Sequence, residues 1–448
     1  MQQKTKLGIN FGFRGWMLMI FEISAFLVFQ AFTNFPMNML AGFYTGLPDA
    51  EAGQVLAPIM TIGTLVGIVI QLVLSNFLGN MKSVKPMVLG FGVLTLLSAL
   101  GVAALPYGAF WKVCYFLVSV FANIYGMFGI GILIGQWFPT RKGVFMGIAT
   151  FAFPVCNGLM GPFAALVFPQ NAAPNPFMGF LPFLIVGVIG WVLGLVFITD
   201  YPEQVGCFRD NDKSFTKEKA DAMLAEEIEN KKTTVWKLPN TLKCSQFWLI
   251  TIPMGTLLMC SVGMMTQTQA IIGAYGLDFG MVMGLVMVFA LIGSYVLGLV
   301  DGKFGTKTAI LASEIIMLLS GILGGIGNPT TSMISIILLA IFMGAGSNFT
   351  VSGAAQYWRR EDFSTVFGIV NPIANILQCV GPTVVAMTIA IGSQNGLGVT
   401  LPFWETAVIA LISVILIAVF QPSKVKAADD KYRKAAGKSL DDALVGRK

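Results

Sequence analysis

Twelve separate runs of apolar residues, each long enough to cross a bilayer as a helix, constrain this chain more than any other feature. They fall near residues 15–40, 54–78, 86–106, 111–137, 143–168, 177–199, 246–273, 279–300, 307–327, 332–357, 364–391 and 401–421. Spanning a hydrocarbon core about 30 Å thick takes about 20 apolar residues in helical form. A transmembrane barrel would show segments of about ten residues with alternating polarity, and these runs do not alternate. The expected fold class is an all-α membrane protein, with twelve transmembrane helices in two six-helix halves. Only 11% of the 448 residues are charged and 56% are hydrophobic, whereas soluble domains carry about 25% charged residues. The lipid bilayer is therefore an expected partner.

Loop charge orients the helices. Lys4, Lys6, Arg14, Lys82, Lys85, Arg141, Lys142, Lys303, Lys307, Arg359 and Arg360 share one side with segment 200–244 and the tail after 421. That side holds 27 of the 28 Lys and Arg, and only Lys112 lies opposite. The positive-inside tendency makes it cytoplasmic, with both termini there, in a multi-pass protein of the cell (plasma or inner) membrane. The net charge of +6 belongs to these loops, and nucleic acid is not an expected partner. The expected division is a first six-helix half at 1–199, a cytoplasmic linker at 200–244, a second half at 245–421 and a cytoplasmic tail at 422–448. Stretch 216–231 can form a short amphipathic helix around Met223, Leu224 and Ile228, and the tail is expected to be polar and mobile. The first apolar run is too long for the core of a signal peptide and no small-residue cleavage site follows it, so none is expected.

Several chemistries are excluded. Histidine is absent, which removes the usual proton shuttle near neutral pH and the commonest metal ligand. The six cysteines form no C-x-x-C pair, so neither a metal site nor a disulfide framework is expected. No Gly-x-x-x-x-Gly-Lys-Ser/Thr loop occurs for ATP. An enzyme is not expected, nor a cofactor.

The two halves echo each other about 220 residues apart. Gln136-Trp137-Phe138 matches Gln356-Tyr357-Trp358, and Gly161-Pro162 matches Gly381-Pro382. Internal symmetry between parallel six-helix halves is a transporter signature. The loop between the eighth and ninth runs reads Gly298-Leu299-Val300-Asp301-Gly302-Lys303-Phe304-Gly305-Thr306-Lys307, and its first-half counterpart Gly79-Asn80-Met81-Lys82-Ser83-Val84-Lys85 keeps the bases but not the acid. With these motifs the whole chain resembles the major facilitator superfamily of transporters. Trp137-Phe138-Pro139-Thr140-Arg141-Lys142-Gly143, Tyr201-Pro202-Glu203-Gln204-Val205-Gly206 and Arg14-Gly15-Trp16 are similar to its oxalate/formate antiporter and monocarboxylate carrier branch. The resemblance implies secondary transport of a small organic solute by a monomer, with protons as a candidate co-substrate. Anion carriers of that branch place Arg or Lys in the eighth or eleventh span. Neither is found in 279–300 or 364–391, so dicarboxylate binding is not carried over. The rival reading is a non-transporting sensor or scaffold with a transporter fold.

Ionisable groups within apolar spans call for an explanation. Glu22 lies about 10 Å into the first span at 1.5 Å per residue, on a face with Phe26, Phe29, Gln30 and Thr33. It is either a proton-coupling group or a static partner of a cation such as Arg14. Glu314 is equally deep in the ninth span, and either takes up protons or pairs with Lys307. The resemblance places spans one, four, seven and ten around a central cavity. Candidate lining residues are Phe26, Gln30, Thr33, Asn34, Ser119, Asn123, Thr256, Gln267, Asn348 and Ser352, extended by Asn157, Asn375 and Gln378. Uncharged amides with aromatics suit a neutral or amphipathic solute, although interhelical hydrogen bonding also accounts for individual members. Asp301, Lys303, Gly305 and Lys307 form an expected gating loop. Gly161-Pro162 and Gly381-Pro382 are expected hinges, because proline kinks a helix.

Overall fold

The computed structural model describes residues 9–47, 49–78, 81–214 and 216–438, and among these the secondary structure is helical, without a strand. Gly79, Asn80, Lys4, Lys6 and residues 439–448 lie outside the described residues. The first six spans are Gly12–Asn38, Asp49–Phe77, Lys85–Ala104, Ala109–Trp137, a broken fifth, and Pro176–Phe197. Spans seven to twelve are Ser245–Thr266, Phe279–Phe304, Thr306–Gly325, Pro329–Tyr357, Phe363–Gln394 and Leu401–Val419. Among the described residues eleven helices are long and apolar enough to cross a membrane, and the fifth, bent by 45°, makes a twelfth when its pieces are taken as one span.

Two spans differ from the unbroken runs expected of them. The fifth is three short helices, Lys142–Ala149, Ala152–Gly158 and Met160–Val167. Its bend lies at Leu159, three residues ahead of Pro162, whose missing N–H opens the helical ladder there. The seventh stops at Gln267 and resumes as Thr268–Ala274. The fourth carries a π-helical stretch at Asn123–Gly129. Such an insertion loosens the backbone ladder and commonly marks a functional site.

Small residues bring the spans together. On the sixth span, Gly187, Gly190 and Gly194 face the first, and an added Cβ would collide with Val28, Ser24 and Phe21 in turn. Close backbone approach through small residues is the usual packing device in lipid, where burial of apolar surface drives little. Between the halves, Gly368 of the eleventh span abuts Ser75 of the second, and Gly147 of the fifth abuts the Ser294 carbonyl of the eighth. At the end that carries the basic loops, Gly131 and Gly135 of the fourth span receive the rings of Phe367 and Phe363. The halves are thus closed against each other at the basic end.

The linker and tail are built into that closure. The linker helix, Lys217–Lys232, matches the expected stretch: Ala220 is buried and Met223 and Leu224 are half-buried, while Ile228 is 40% exposed. The tail departs from the mobile segment expected: Pro422–Ala435 is a helix that buries Val425, Asp429 and Arg433. These recur every four residues, so they share a face, and a face made largely of ion-pairing groups carries no hydrophobic signal.

Candidate functional site

A cavity of about 870 Å³, its open mouth included, lies between the halves. Its lining runs from Phe153 out to Asn38 and Thr266, the last residues of spans one and seven. It therefore opens at the end opposite the basic loops. Six expected residues line it: Gln30, Thr33, Asn34, Asn123, Asn157 and Gln378. The structure adds Asn38, Thr64, Thr266 and Ser347, and five methionines, Met60, Met127, Met265, Met283 and Met343. Methionine at helical spacing reads as ordinary span filler, so this set does not stand out among the apolar runs. No Lys, Arg, Asp or Glu is among the described lining residues.

The other expected lining residues lie behind or beneath the walls. Phe26 packs its ring on Phe153 at 4.9 Å between centroids, flooring the cavity. Ser119 donates to the Tyr115 carbonyl at 2.8 Å within its own helix. Thr256 turns outward to Ser413 of the twelfth span at 2.8 Å. Gln267 sits at the break in the seventh span. Asn348 donates through Nδ2 to Thr150 Oγ1 at 3.2 Å, crossing between the halves. Ser352 Oγ and both polar atoms of Asn375 are buried without a hydrogen-bond partner among the described residues.

The amides under the cavity form an ordered chain. Thr350 Oγ1 donates to Asn371 Oδ1 at 3.2 Å, Asn371 Nδ2 to Gln71 Oε1 at 3.5 Å, and Gln71 Nε2 to Asn123 Oδ1 at 2.5 Å. Gln71 is wholly buried, and the chain crosses from the second half to the first. Neither Gln71 nor Asn371 stood out in the sequence, because a single amide in an apolar run looks like any interhelical contact.

Glu22 is wholly buried, and neither carboxyl oxygen has a hydrogen-bond partner among the described residues. The alternative partner, Arg14, donates instead to the Phe197 carbonyl at 2.7 Å. Glu314 is also wholly buried. Its Oε1 accepts from Thr256 Oγ1 at 3.4 Å. Lys307, its expected partner, donates to the Phe420 carbonyl at 2.7 Å instead.

Two hydrogen bonds tie the loop between spans eight and nine to its own half. Asp301 accepts from Thr306 Oγ1 at 2.6 Å, and the backbone N–H of Thr306 donates to Gln356 Oε1 at 2.7 Å. Gly305 has φ +92°, a conformation that L side chains rarely adopt. Lys303 is exposed, its ammonium 5.2 Å from the Phe304 ring centre. In the first half, the acid missing from the matching loop comes from elsewhere: Asp200 accepts from the backbone N–H groups of Val84 and Lys85 at 2.9 and 2.8 Å. The paired Gly-Pro sites differ. Gly161 follows the bend and has open space beside it, whereas an added Cβ on Gly381 would strike the Met259 backbone. Pro382 lines the cavity within a continuous helix.

Buried ion pairs bridge the basic end. Arg209 pairs with Glu203, and Glu227 joins Arg209 and Arg360 at 2.8 Å each. Arg360 also donates to the Gln136 carbonyl at 3.1 Å, across the halves. Asp210, at φ +56°, accepts from the backbone N–H groups of Thr140 and Arg141. Below the second half, Asp429 accepts from Arg359 at 2.9 Å, Arg433 at 3.2 Å and the Trp236 indole at 2.7 Å. Arg433 also reaches Asp362 at 2.8 Å. Burial works against the charge on Glu227, but the Arg360 and Arg209 guanidinium groups outweigh it and hold its carboxyl below the ordinary value. Burial, and next the charge of Glu361, push Asp362 up to about 6 against the pull of Thr234 and Arg433.

No family model and no curated protein matches the sequence. Solved structures do match. The human organic anion transporter MFSD10 (TETRAN) superposes with a TM-score of 0.65 at 11% identity, over 90% of this chain and 98% of that one. The major facilitator superfamily proton:xylose symporter XylE, bound to 6-bromo-6-deoxy-D-glucose, gives 0.68 at 12% over 92% and 98%. A double-tryptophan mutant of XylE gives 0.68 at 11% over 93% and 98%. At these identities the likeness is one of fold, and the chain has the major facilitator fold.

Proposed function

We propose that this chain is a secondary transporter of the major facilitator superfamily, moving one small organic solute by alternating access. The observation that carries the reading is the polar-lined cavity between two halves, sealed at one end and open at the other. Residues 1–199 and 245–421 are the moving halves, 200–244 the linker and 422–448 the tail. The basic end is cytoplasmic in a plasma or inner membrane, and the unit is a monomer. Glu22 binds the coupling proton: buried one turn beneath Phe26 without a hydrogen-bond partner among the described residues, it cannot stay charged cheaply. Glu314, which has a hydroxyl partner, is the second candidate. Asp301, Lys303, Gly305 and Lys307 brace the gate, and the Gly161-Pro162 bend flexes, with Gly381-Pro382 as its packed counterpart. Carboxylates, sugars and neutral amphipathic compounds form the panel of candidate cargo. The test is saturable uptake of panel members into proteoliposomes. Flux above empty liposomes supports transport. Ligand-dependent stabilisation without flux of any member would favour a sensor or scaffold.

A further inference from the structure

We infer that Gln30 and Asn123 form a donor pair that reads a neutral carbonyl-type oxygen on the solute, a reading that rests on the solute cavity proposed above. Both residues line the cavity. Gly126 abuts Ala25 and Phe29, so Asn123, one turn away, stands near the depth of Gln30. In each amide the oxygen is already committed. Asn123 Oδ1 accepts from Gln71 Nε2 at 2.5 Å, and Gln30 Oε1 accepts from Asn34 Nδ2. Gln71 is held in turn by Asn371 and Thr350, which orients the whole row. Each residue thus turns an N–H₂ group to the cavity, with no hydrogen-bond partner among the described residues.

The nearby hydroxyls do the reverse. Thr33, Thr266 and Ser347 donate to carbonyls of their own helices at 2.7, 2.8 and 2.9 Å, and so offer lone pairs. Gln30 and Asn123 therefore select an acceptor. A full negative charge would lie there without a cation, since the described lining residues include none, and a buried charge without a partner is costly. An ester, ketone or amide oxygen meets both donors without that penalty. Its apolar remainder lies on Phe29, Met127, Phe153 and Met343, where flexible thioethers adapt to shape.

The test compares three six-carbon probes on the purified full chain by calorimetry: methyl hexanoate, hexanoate and hexylamine. Methyl hexanoate is expected to bind most tightly. Asn123→Asp and Gln30→Glu keep the oxygen that accepts from Gln71 or Asn34 and replace only the presented N–H₂. Each should raise the Kd for methyl hexanoate at least tenfold while moving hexylamine the other way. Asn123→Ala, which deletes the donor without adding charge, should give the same loss of ester binding and covers the case in which the acidic variants misfold. Ester affinity unchanged in the variants, or hexanoate or hexylamine binding the native chain more tightly than the ester, would overturn the inference. Binding is read without a membrane, so ester binding with this variant pattern but no flux in proteoliposomes upholds the donor pair and overturns transport alone.

Discussion

At the scale of single residues, buried carboxyls divide by what surrounds them. Among the described residues Glu22 has no hydrogen-bond partner, Glu314 a hydroxyl, and Glu227 two guanidinium groups. Glu22→Gln keeps the shape of the protonated acid. It should abolish pH-driven accumulation yet retain counterflow exchange, which needs no net proton movement. Normal accumulation with normal stability would move coupling to Glu314. Glu227 and Asp362 should respond to pH with opposite sign. Glu227 is held below its ordinary value in the fold, so its contribution to stability is present above the unfolded value and is lost as pH falls through the folded one. Glu227→Gln should lower the melting temperature at pH 7, with breaking a buried pair costing about 3–5 kcal/mol, and the deficit should shrink toward pH 4. Asp362 stands at about 6 against an ordinary 3.8. The fold therefore binds its proton more tightly than the unfolded chain, and stability declines as pH rises from 4 to 6. Asp362→Asn should flatten that decline, as read from melting temperatures across the range.

At the scale of elements, the twelve spans were legible because membrane thickness sets a length that composition reveals. The breaks at Leu159 and Gln267 were less so, since a Pro or a polar triplet marks a weak point without saying which backbone bonds fail. The cavity was legible in part. Gln30, Thr33, Asn34 and Asn123 lie on central spans that the family resemblance assigned to it, but facing is decided by helix rotation: Thr256 faces the twelfth span and Ser119 lies against Gly63 of the second. The linker helix was legible as a stretch near 216–231, whereas the packing of the tail helix was hidden, because ion pairs bury it and sequence patterning detects burial only when it is apolar. The glycine face of the sixth span offers a direct test. Gly190→Leu would drive a side chain into Ser24 and should destabilise the first half by about 1–3 kcal/mol, seen as a lower melting temperature. Gly161→Ala, with open space beside it, should not.

At the scale of the whole molecule, the Gln71–Asn371, Asn348–Thr150 and Arg360–Gln136 hydrogen bonds cross between the halves, and the Glu227 clamp ties the linker to Arg360. Opening the basic end must break such crossings. Gln71→Leu removes the first, and at about 1 kcal/mol for one net hydrogen bond it should shift the balance of states several-fold toward opening at the basic end. The central claim is that the two ends open in alternation, and spin-label distances measure this most directly. One pair joins Lys82 and Lys303 at the basic end; a second joins Leu105 and Leu397 at the other. All four positions are exposed. On adding a solute that accumulates in proteoliposomes, the first distance should lengthen while the second shortens, each gaining a second population. Distances that stay fixed at both ends, or lengthen together, would contradict alternating access.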